Sequence, residues 1–386
     1  MSPETAKRAP PRRVILAAGG TGGHMFPAQA LARELLGRGL GVALITDRRG
    51  GGFGPELAQV ETHRIRAGGL AGRGLFGKLQ GALELGFGVL QAYRLLKRLE
   101  GEVVVGFGGY ASVPTVLAGR RLGLRVVLHE QNAVLGRANR LLASKADMIA
   151  TSFDKVEAIA EADRAKVRMT GNPVRPAIAA LGRRPYPVPD ETGRLRLLVT
   201  GGSQGAAVFN EVLPAAICRL PEELRRRLEI SQQVPGVELE PIAASYQDCG
   251  VACDLRSFFD DMPERLAAAH LVICRAGAST VAELAAAGRP GLMVPYPFAT
   301  DDHQTANAQR LAEAGGGWVM AQSAFTAEHL AERLVSLLFH PSLLARASSC
   351  AQAYARLGAA ANLADLVCGR SDGNDDERPC EGEVAA

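Results

Sequence analysis

The sequence predicts an α/β protein with two parallel β-sheets. Short apolar runs rich in β-branched residues alternate with runs of helical period, and this alternation is typical of βαβ units. The alternation starts again after residue 193, so a second sheet of the same kind is expected. A chain of 386 residues is long enough to bury two separate cores.

Five candidate strands occupy each half of the chain. In the first half, the helix after the first strand begins near His24, and the strands read RRVILAA, VALIT, VVVGF, RVVLHE and DMIATS. Alanine-rich helices separate the strands of the second half, which read RLRLLVT, LEIS, HLVICR, PGLMVPY and GGWVM. We therefore expect an N-terminal domain over residues 12–170 and a C-terminal domain over residues 194–340.

The segments outside the two domains differ in composition. Residues 171–193 hold five of the 21 prolines and no strand pattern, which predicts a linker. An amphipathic stretch over residues 341–360 predicts a C-terminal helix that can pack back on the N-terminal domain. Residues 370–386 are acidic and rich in small side chains, so a disordered tail is expected there.

The bulk composition argues against several classes of protein. The formal net charge of +4 is too small to predict nucleic-acid binding without a clustered basic face. Seven cysteines lack a regular framework, and Cys249 and Cys253 lack a second Cys/His pair, so neither disulfides nor zinc are expected. No signal peptide and no apolar run of about 18 residues is found, which fits a reducing cytoplasm.

Three glycine-rich segments follow apolar strands: GGTGGH (19–24), GFGGY (106–110) and GGSQGA (201–206). Ligands of open α/β sheets bind beyond the carboxyl ends of strands, where glycines allow close approach of backbone N–H groups to a phosphate or sugar. The first segment resembles a dinucleotide-binding fingerprint, and Asp47 would suit a ribose, but the third glycine of the fingerprint is missing. The Gly-Lys-Ser/Thr of a phosphate-binding loop is also missing. A purely structural turn remains the alternative for any one loop.

His24 stands at the start of a helix, in the first glycine segment. The positive end of a helix disfavours imidazolium, so a neutral imidazole able to take a proton is plausible at this position. The alternative is a packed or capping histidine, which is the commoner role at a helix start. The residue alone does not decide between the two.

The second half adds FFDDM (258–262), RAGASTVAE (275–283) and PYPFATDDHQTANA (295–308). A helix from about Ala278 would aim its N-terminal amides at an anion, and a diphosphate is the natural occupant. Glu283 could accept two ribose hydroxyl protons, with a solvated helix carboxylate as the alternative. Gln304 and Asn307 share a helix face, where their amides suit sugar hydroxyls. The acidic pair before His303 is typical of a helix N-terminus, which favours negative charge, rather than of a metal site.

These motifs, with HEQNA (129–133) and GNPVR (171–175), occur in an order that resembles the MurG family of peptidoglycan N-acetylglucosaminyltransferases from about residue 12 to 360. The resemblance implies two Rossmann-like domains that face each other across a cleft, the B-type fold of glycosyltransferases. It also implies inverting transfer of N-acetylglucosamine from UDP-N-acetylglucosamine to the 4-hydroxyl of the muramoyl sugar of lipid I, which forms lipid II. No metal and no redox cofactor is implied.

The resemblance also assigns roles to individual residues. His24 would be the catalytic base, and Tyr110 would lie on the acceptor side. The donor would be bound by Thr21, Gly22, Gly23, Asn132, Arg175, Ser203, Phe259, Ala278, Ser279, Thr280, Val281, Ala282, Glu283, Gln304 and Asn307. The chain departs from the family pattern at residues 232–235, which read QQVP, and at Phe259, where a smaller aliphatic residue is usual.

A lipid-linked acceptor requires a membrane surface, and residues 63–90 suit one. The stretch mixes basic and apolar residues and contains no acidic residue before Glu84. This pattern predicts peripheral binding at the cytoplasmic face of the inner membrane. A helix packed on the sheet from Leu83 onward is the alternative for its second part. The basic and apolar residues of the stretch are Arg64, Arg66, Arg73, Lys78, Leu70, Leu75, Phe76 and Leu79.

The family implies further partners, and two other functions remain open. Proteins of cell-wall synthesis and division are expected to bind the chain. An epimerase acting on the UDP-sugar would have the same architecture but would need no lipid-facing patch. A catalytically inactive UDP-sugar-binding scaffold would bind the donor without turnover.

Overall fold

The computed structural model describes residues 11–20, 22–47, 51–67, 75–190, 192–202 and 205–370, without the side chains of residues 55, 75–80 and 82. Within these ranges the chain forms two α/β domains, each built on a parallel sheet. The predicted fold class is therefore confirmed.

The N-terminal sheet has seven parallel strands in the order β3-β2-β1-β4-β5-β6-β7. Its central strands are continuous runs of buried aliphatic residues, because helices cover both faces of a parallel sheet. The strands are β1 (Arg13–Ala17), β2 (Gly41–Thr46), β3 (Glu61–Arg64), β4 (Val103–Gly106), β5 (Arg125–Glu130), β6 (Met148–Thr151) and β7 (Val167–Met169).

Four helices accompany this sheet. The first begins at Gly22, within the glycine segment that follows β1, so the segment connects the strand to the helix at the sheet edge. The helices are α1 (Gly22–Gly37), α2 (Leu75–Leu99), α3 (Ser112–Arg121) and α4 (Arg137–Leu142). None of the described helices, α2 included, combines the length and the apolar composition needed to cross a membrane.

The C-terminal sheet has six parallel strands in the order β10-β9-β8-β11-β12-β13. In both sheets the strand order reverses beside the first strand of the domain, and such switch points form the ligand crevices of doubly wound folds. The strands are β8 (Leu195–Thr200), β9 (Leu228–Gln233), β10 (Ala252–Arg256), β11 (Leu271–Cys274), β12 (Gly291–Met293) and β13 (Gly317–Val319).

The linker and the C-terminal domain contribute ten more helices. The first of them lies in the linker, where a proline occupies its first turn. They are α5 (Pro176–Ala179), α6 (Ala207–Cys218), α7 (Glu222–Arg225), α8 (Glu240–Asp248), α9 (Met262–Ala268), α10 (Ala278–Ala287), α11 (His303–Glu313), α12 (Ala327–Leu338), α13 (Pro341–Tyr354) and α14 (Ala359–Cys368).

The end of the chain differs from the single helix expected over residues 341–360. Ala355 adopts an extended conformation that ends α13, and a second helix, α14, follows it. Helix α14 packs on α1, where Asp365 Oδ1 accepts a hydrogen bond of 2.6 Å from Arg38 Nη1. Leu363 and Val367 of α14 are buried in the N-terminal core. Residues 371–386 of the predicted tail lie outside the described residues.

One expectation about the cysteines is wrong. Cys218 and Cys249 form a disulfide that joins the ends of α6 and α8, with their Cα atoms 5.2 Å apart. The two residues are 31 positions apart, so their spacing gave no indication that the fold brings the helix ends together. Cys253 is free and half-buried.

Candidate functional site

Two adjoining cavities lie between the domains, at the carboxyl ends of the strands. The large cavity, of about 550 Å³, is lined mainly by the C-terminal domain, and the small cavity, of about 310 Å³, mainly by the N-terminal domain. Thr300 and His303 line both cavities. A ligand in one cavity can therefore meet a ligand in the other at these two residues.

The large cavity receives the N-terminus of α10. Ala278, Ser279, Thr280 and Glu283 line it, as the sequence predicts. The first turn of α10 carries no acidic residue, and its N–H groups have no acceptor within the helix. The Ser279 hydroxyl is buried without a hydrogen-bond partner. Free amides and an unpartnered hydroxyl at the positive end of a helix favour an anion.

The glycine loop after β8 forms the opposite wall of the large cavity. A Cβ on Gly201 would lie 2.3 Å from the carbonyl carbon of Gly205, so the turn admits no side chain there. The hydroxyl of Thr200 accepts a hydrogen bond of 3.2 Å from Gly202 N and donates one of 2.7 Å to Gln233 Oε1. Gln233, at a position that departs from the family pattern, thus supports the loop. Ser203 lies outside the described residues.

An ion pair connects the linker to α10 inside the large cavity. Arg175 Nε and Nη2 donate to the two carboxylate oxygens of Glu283 at 2.9 and 3.0 Å. Burial raises the pKa of Glu283, and the Arg175 charge opposes that shift. Both predicted donor residues therefore line one wall, and each carboxylate oxygen keeps a lone pair for a hydroxyl.

Aromatic side chains surround the large cavity. Phe259 lines the cavity but is 2% exposed, and the Arg265 guanidinium lies 3.9 Å from its ring centroid. Phe258 and Phe298, also lining residues, are 63% and 79% exposed. Sequence reasoning selected Phe259 and missed these exposed rings, which offer apolar surface to a nucleobase.

Gly22 and Gly23 line the large cavity from the N-terminal domain, whereas Thr21 lies outside the described residues. Val281 and Ala282 do not line it. The helix turns about 100° per residue, so these two side chains point away from the cavity and pack against the linker side of α10. Their predicted contact with the donor stays a prediction.

Gln304 and Asn307 have different surroundings although they share a helix. Gln304 lines the large cavity, and its Oε1 accepts from the N–H groups of Ala276 and Tyr296 at 3.2 and 2.9 Å. Its amide nitrogen is left to donate to a ligand. Asn307 is 0% exposed and lines neither cavity, so its side chain lies away from the cavity surface and its donor contact stays a prediction.

Asn307 instead joins the two domains. Its Oδ1 accepts from Ala133 N at 2.7 Å, and its Nδ2 donates to Asn132 Oδ1 and Ala276 O, both at 3.1 Å. Asn132 lines the small cavity rather than the large one. Its side chain is held at the interdomain contact beside the small cavity, and its predicted donor contact stays a prediction.

The small cavity contains His24 between the two N-terminal glycine loops. Cβ atoms on Gly19 and Gly109 would be in ordinary van der Waals contact with the ring atom Cδ2, at 3.5 and 3.4 Å, so both loops lie directly against the imidazole. Gly109 also has a φ of +71°, which disfavours any other residue. Tyr110 lines the same cavity. The two glycine loops thus position the predicted base.

His24 is half-buried, and its Nδ1 lies 3.1 Å from Gln131 Oε1. Burial lowers the pKa of His24, while the Gln131 hydrogen bond, the Glu130 charge and the Phe107 carbonyl oppose that shift. The imidazole is therefore neutral near pH 7 and can accept a proton.

Two lining residues escaped sequence reasoning although their motifs were noticed. Glu130 is 2% exposed and accepts four hydrogen bonds, from Asn132 N, Asn132 Nδ2, Gly136 N and Asn139 Nδ2, at 2.8 to 3.2 Å. It fixes the loop after β5. His303 joins the cavities, and its Nδ1 lies 2.7 Å from Thr300 O. In the sequence, His303 and the acidic pair before it indicate only a helix N-terminus or a metal site, and so give His303 no role in the cleft.

Charged residues close the small cavity from both domains. Asp301 of the C-terminal domain pairs with Arg137 at 3.1 Å and with Arg140 at 2.9 Å. Across the part of the chain that the structure describes, no group of three or more His, Cys, Asp or Glu side chains could hold a metal ion.

Two facing α/β domains with a nucleotide-sized cleft define a glycosyltransferase of the B type. Family models match two segments: the glycosyltransferase family 28 N-terminal domain over residues 14–151 and its C-terminal domain over residues 196–363. The chain belongs to glycosyltransferase family 28 and, within it, to the MurG family of N-acetylglucosamine transferases.

Individual relatives agree with this assignment. The UDP-N-acetylglucosamine–N-acetylmuramyl-(pentapeptide) pyrophosphoryl-undecaprenol N-acetylglucosamine transferase of Rhodospirillum centenum is 58% identical over 92% of this chain and 94% of its own length. The crystal structure of Acinetobacter baumannii MurG is 32% identical, with a TM-score of 0.74 over 92% of this chain and 99% of that one. A UDP-N-acetylglucosamine 2-epimerase, 13% identical with a TM-score of 0.65 over 96% of this chain and 100% of that one, shares the fold alone.

Proposed function

We propose that the chain transfers N-acetylglucosamine from UDP-N-acetylglucosamine to the 4-hydroxyl of the muramoyl sugar of lipid I, with inversion, and so forms lipid II. The names of its close relatives support the substrates. The observation that carries the mechanism is a neutral imidazole in a cavity that adjoins a second, anion-binding cavity.

In this proposal the donor occupies the large cavity. The diphosphate lies against the amides of the α10 N-terminus and the unpartnered Ser279 hydroxyl. Glu283, oriented by Arg175, accepts the ribose hydroxyl protons, and the amide nitrogen of Gln304 donates to the sugar. The uracil packs on exposed aromatic rings of the cavity such as Phe258, with the buried Phe259 behind them. Gly22 and Gly23 leave room for the sugar beside His24.

The acceptor sugar occupies the small cavity, beside Tyr110. His24 removes the proton of the acceptor hydroxyl while the hydroxyl oxygen bonds to the anomeric carbon. The bond from that carbon to the diphosphate breaks, and its electron pair leaves with UDP. A positioned base contributes typically ~10²–10⁴ in rate, and preorganised donors around the diphosphate stabilise the departing charge.

A radiolabelled transfer assay tests the function. Purified protein, UDP-[¹⁴C]N-acetylglucosamine and a lipid I analogue should yield a labelled lipid product, and omission of the analogue should abolish it. A change of the donor to its C2 epimer without acceptor would favour the epimerase. Donor binding by calorimetry with neither product would favour the inactive scaffold, and either result contradicts the proposal.

We also propose that the chain binds the cytoplasmic face of the membrane peripherally, through α2. Leu83, Phe87 and Leu90 are 58%, 56% and 45% exposed, and their spacing of four and three residues places them on one helix face. Exposed Arg94 continues that face. The opposite face, with Leu96, packs on the sheet, so the helix both packs and presents apolar surface. Apolar side chains beside basic ones favour an anionic membrane surface.

Several residues of the predicted membrane patch cannot be placed. Leu70 and Arg73 lie outside the described residues, as do the side chains of Leu75, Phe76, Lys78 and Leu79. Arg66 is described, and its backbone N–H donates to Gln91 Oε1 of α2 at 2.9 Å. The contacts with proteins of cell-wall synthesis and division stay a prediction.

Replacement of both Leu83 and Phe87 by aspartate should weaken sedimentation with vesicles containing phosphatidylglycerol about 10-fold or more, since each buried side chain contributes roughly 1.5–3 kcal/mol. Leu343→Asp, an exposed leucine of α13, is the matched control and should sediment like the wild type. Unchanged sedimentation of the double variant would contradict the membrane role of α2.

A further inference from the structure

We propose that Gln131 is a positioning residue: it fixes the proton of His24 on Nδ1 and so leaves Nε2 as the nitrogen that accepts the proton of the acceptor hydroxyl. The inference rests on the proposed function for its catalytic meaning. The hydrogen-bond geometry that supports it does not depend on any substrate.

The orientation of the Gln131 amide follows from a backbone carbonyl. One end of the amide lies 2.9 Å from the carbonyl oxygen of His129, which can only accept a hydrogen bond, so this end must be the NH₂ group. The other end is then Oε1, which lies 3.1 Å from His24 Nδ1. A carbonyl oxygen donates nothing, so Nδ1 of His24 carries the hydrogen.

His129 closes the network at its other end. Its Nε2 lies 3.3 Å from the carbonyl oxygen of Gly171, so this nitrogen is protonated. Its Nδ1 lies 2.8 Å from the Gln131 NH₂ group and accepts from it. Burial lowers the pKa of His129 to about 4, so the ring holds a single proton at neutral pH. The carbonyl oxygens of Gly171 and His129 therefore fix the direction of every hydrogen bond in the network that joins His129, Gln131 and His24.

This direction decides how His24 reacts. A neutral imidazole with its hydrogen on Nδ1 has its lone pair on Nε2, and the partner of one ring nitrogen sets the state of the other. In the transfer step the acceptor O–H bond breaks, an N–H bond forms at Nε2, and the hydroxyl oxygen bonds to the anomeric carbon as UDP leaves. The Nδ1–H group continues to donate to Gln131, which stabilises the imidazolium. The proton on Nε2 later passes to water.

The charged and titratable groups around His24 are few among the described residues. Glu130, on the strand that precedes Gln131, raises the pKa of His24, and His303 from the C-terminal domain lowers it. His129 is buried and neutral. The Phe107 carbonyl also raises the pKa of His24. Gln131 Oε1 is the side-chain atom in hydrogen-bond contact with Nδ1, so among the side chains it is the amide of Gln131 that favours a proton there.

NMR of the substrate-free protein tests the geometry. Long-range ¹H–¹⁵N spectra of ¹⁵N-histidine-labelled protein near pH 7.5, assigned by loss of the signal in His24→Gln, should show His24 protonated on Nδ1 and His129 on Nε2. A His24 signal typical of the Nε2–H form would overturn the proposal. This readout needs no turnover, so it stands even if the transfer assay fails.

Two variants test the consequence. Gln131→Met should shift His24 toward the Nε2–H form and lower kcat about 10-fold, with the donor Kd unchanged. Gln131→Glu should keep the Nδ1–H form but raise the His24 pKa, so the acid limb of the pH profile moves to higher pH. Gln309→Met, an exposed residue of α11, is the matched control and should change nothing.

A merely structural role predicts another pattern. Both Gln131 variants would then lose stability and donor binding together, without a change in the tautomer signal or in the acid limb. That pattern would overturn the proposal. Circular dichroism reports whether each variant folds, and if neither folds, the wild-type NMR spectrum decides alone.

Discussion

Replacement of His24 by glutamine is expected to lower kcat of the transfer reaction about 10²–10⁴-fold, the usual contribution of a positioned base. Glutamine keeps polar atoms near Gln131 but cannot accept the acceptor proton at the place of Nε2. The donor Kd should change little, because His24 lines the small cavity and not the large one. Steady-state transfer kinetics and calorimetry with UDP-N-acetylglucosamine measure the two quantities.

His329→Gln is the matched control, since His329 is exposed on α12, outside both cavities. It should retain full activity. Turnover of His24→Gln within a few-fold of the wild type would show that another group, such as His303, accepts the proton.

The second large effect is expected at the ion pair of the large cavity. Glu283→Gln should raise the donor Kd about 10–10²-fold, because a hydrogen bond to a charged group contributes about 1.5–3 kcal/mol and the carboxylate is proposed to bind a ribose diol. The variant also removes the negative charge that Arg175 contacts at 2.9 Å, so the Arg175 guanidinium loses its ion-pair partner. Calorimetric titration with UDP-N-acetylglucosamine, and with UDP alone, gives the Kd values.

Glu222→Gln controls for the loss of a carboxylate, since Glu222 lies on the exposed surface of α7. Its donor Kd should equal that of the wild type. An unchanged Kd in Glu283→Gln would refute the ribose contact, whereas a weaker affinity for UDP as well as for the full donor would place the loss at the nucleotide.

The central strands of both sheets and the edge strand β13 could be predicted, and the other edge strands could not. Strands such as β1, with its buried run VILA after Arg13, are mostly apolar because both faces are covered. The edge strands β3 (ETHR), β7 (VRM) and β10 (ACDLR) are short and carry polar or charged residues on their exposed faces. They gain their strand conformation from pairing with a neighbour, so the local sequence gives a weak signal.

The site shows a similar division. The glycine loops can be recognised in the sequence, because positions such as Gly201 admit no side chain. These loops pointed to His24 and to the N-terminus of α10 as parts of the site. The direction of a side chain within a helix is harder to predict, and nothing in the sequence indicated that Val281 and Asn307 are buried. The partners of His24 lie about 107 residues away in sequence, as the Gln131 hydrogen bond shows. No local pattern reports such a contact.

The pH dependence of transfer tests the central claim, that the neutral imidazole of His24 accepts the proton. The base is active when deprotonated, so activity falls as the pH drops through its pKa. Burial lowers that pKa below the ordinary value of about 6.5. Single-turnover rates from pH 4.5 to 8.5, with donor saturating, should therefore show an acid limb below pH 6.5 in the wild type and none in His24→Gln. The same limb in both proteins would contradict the account.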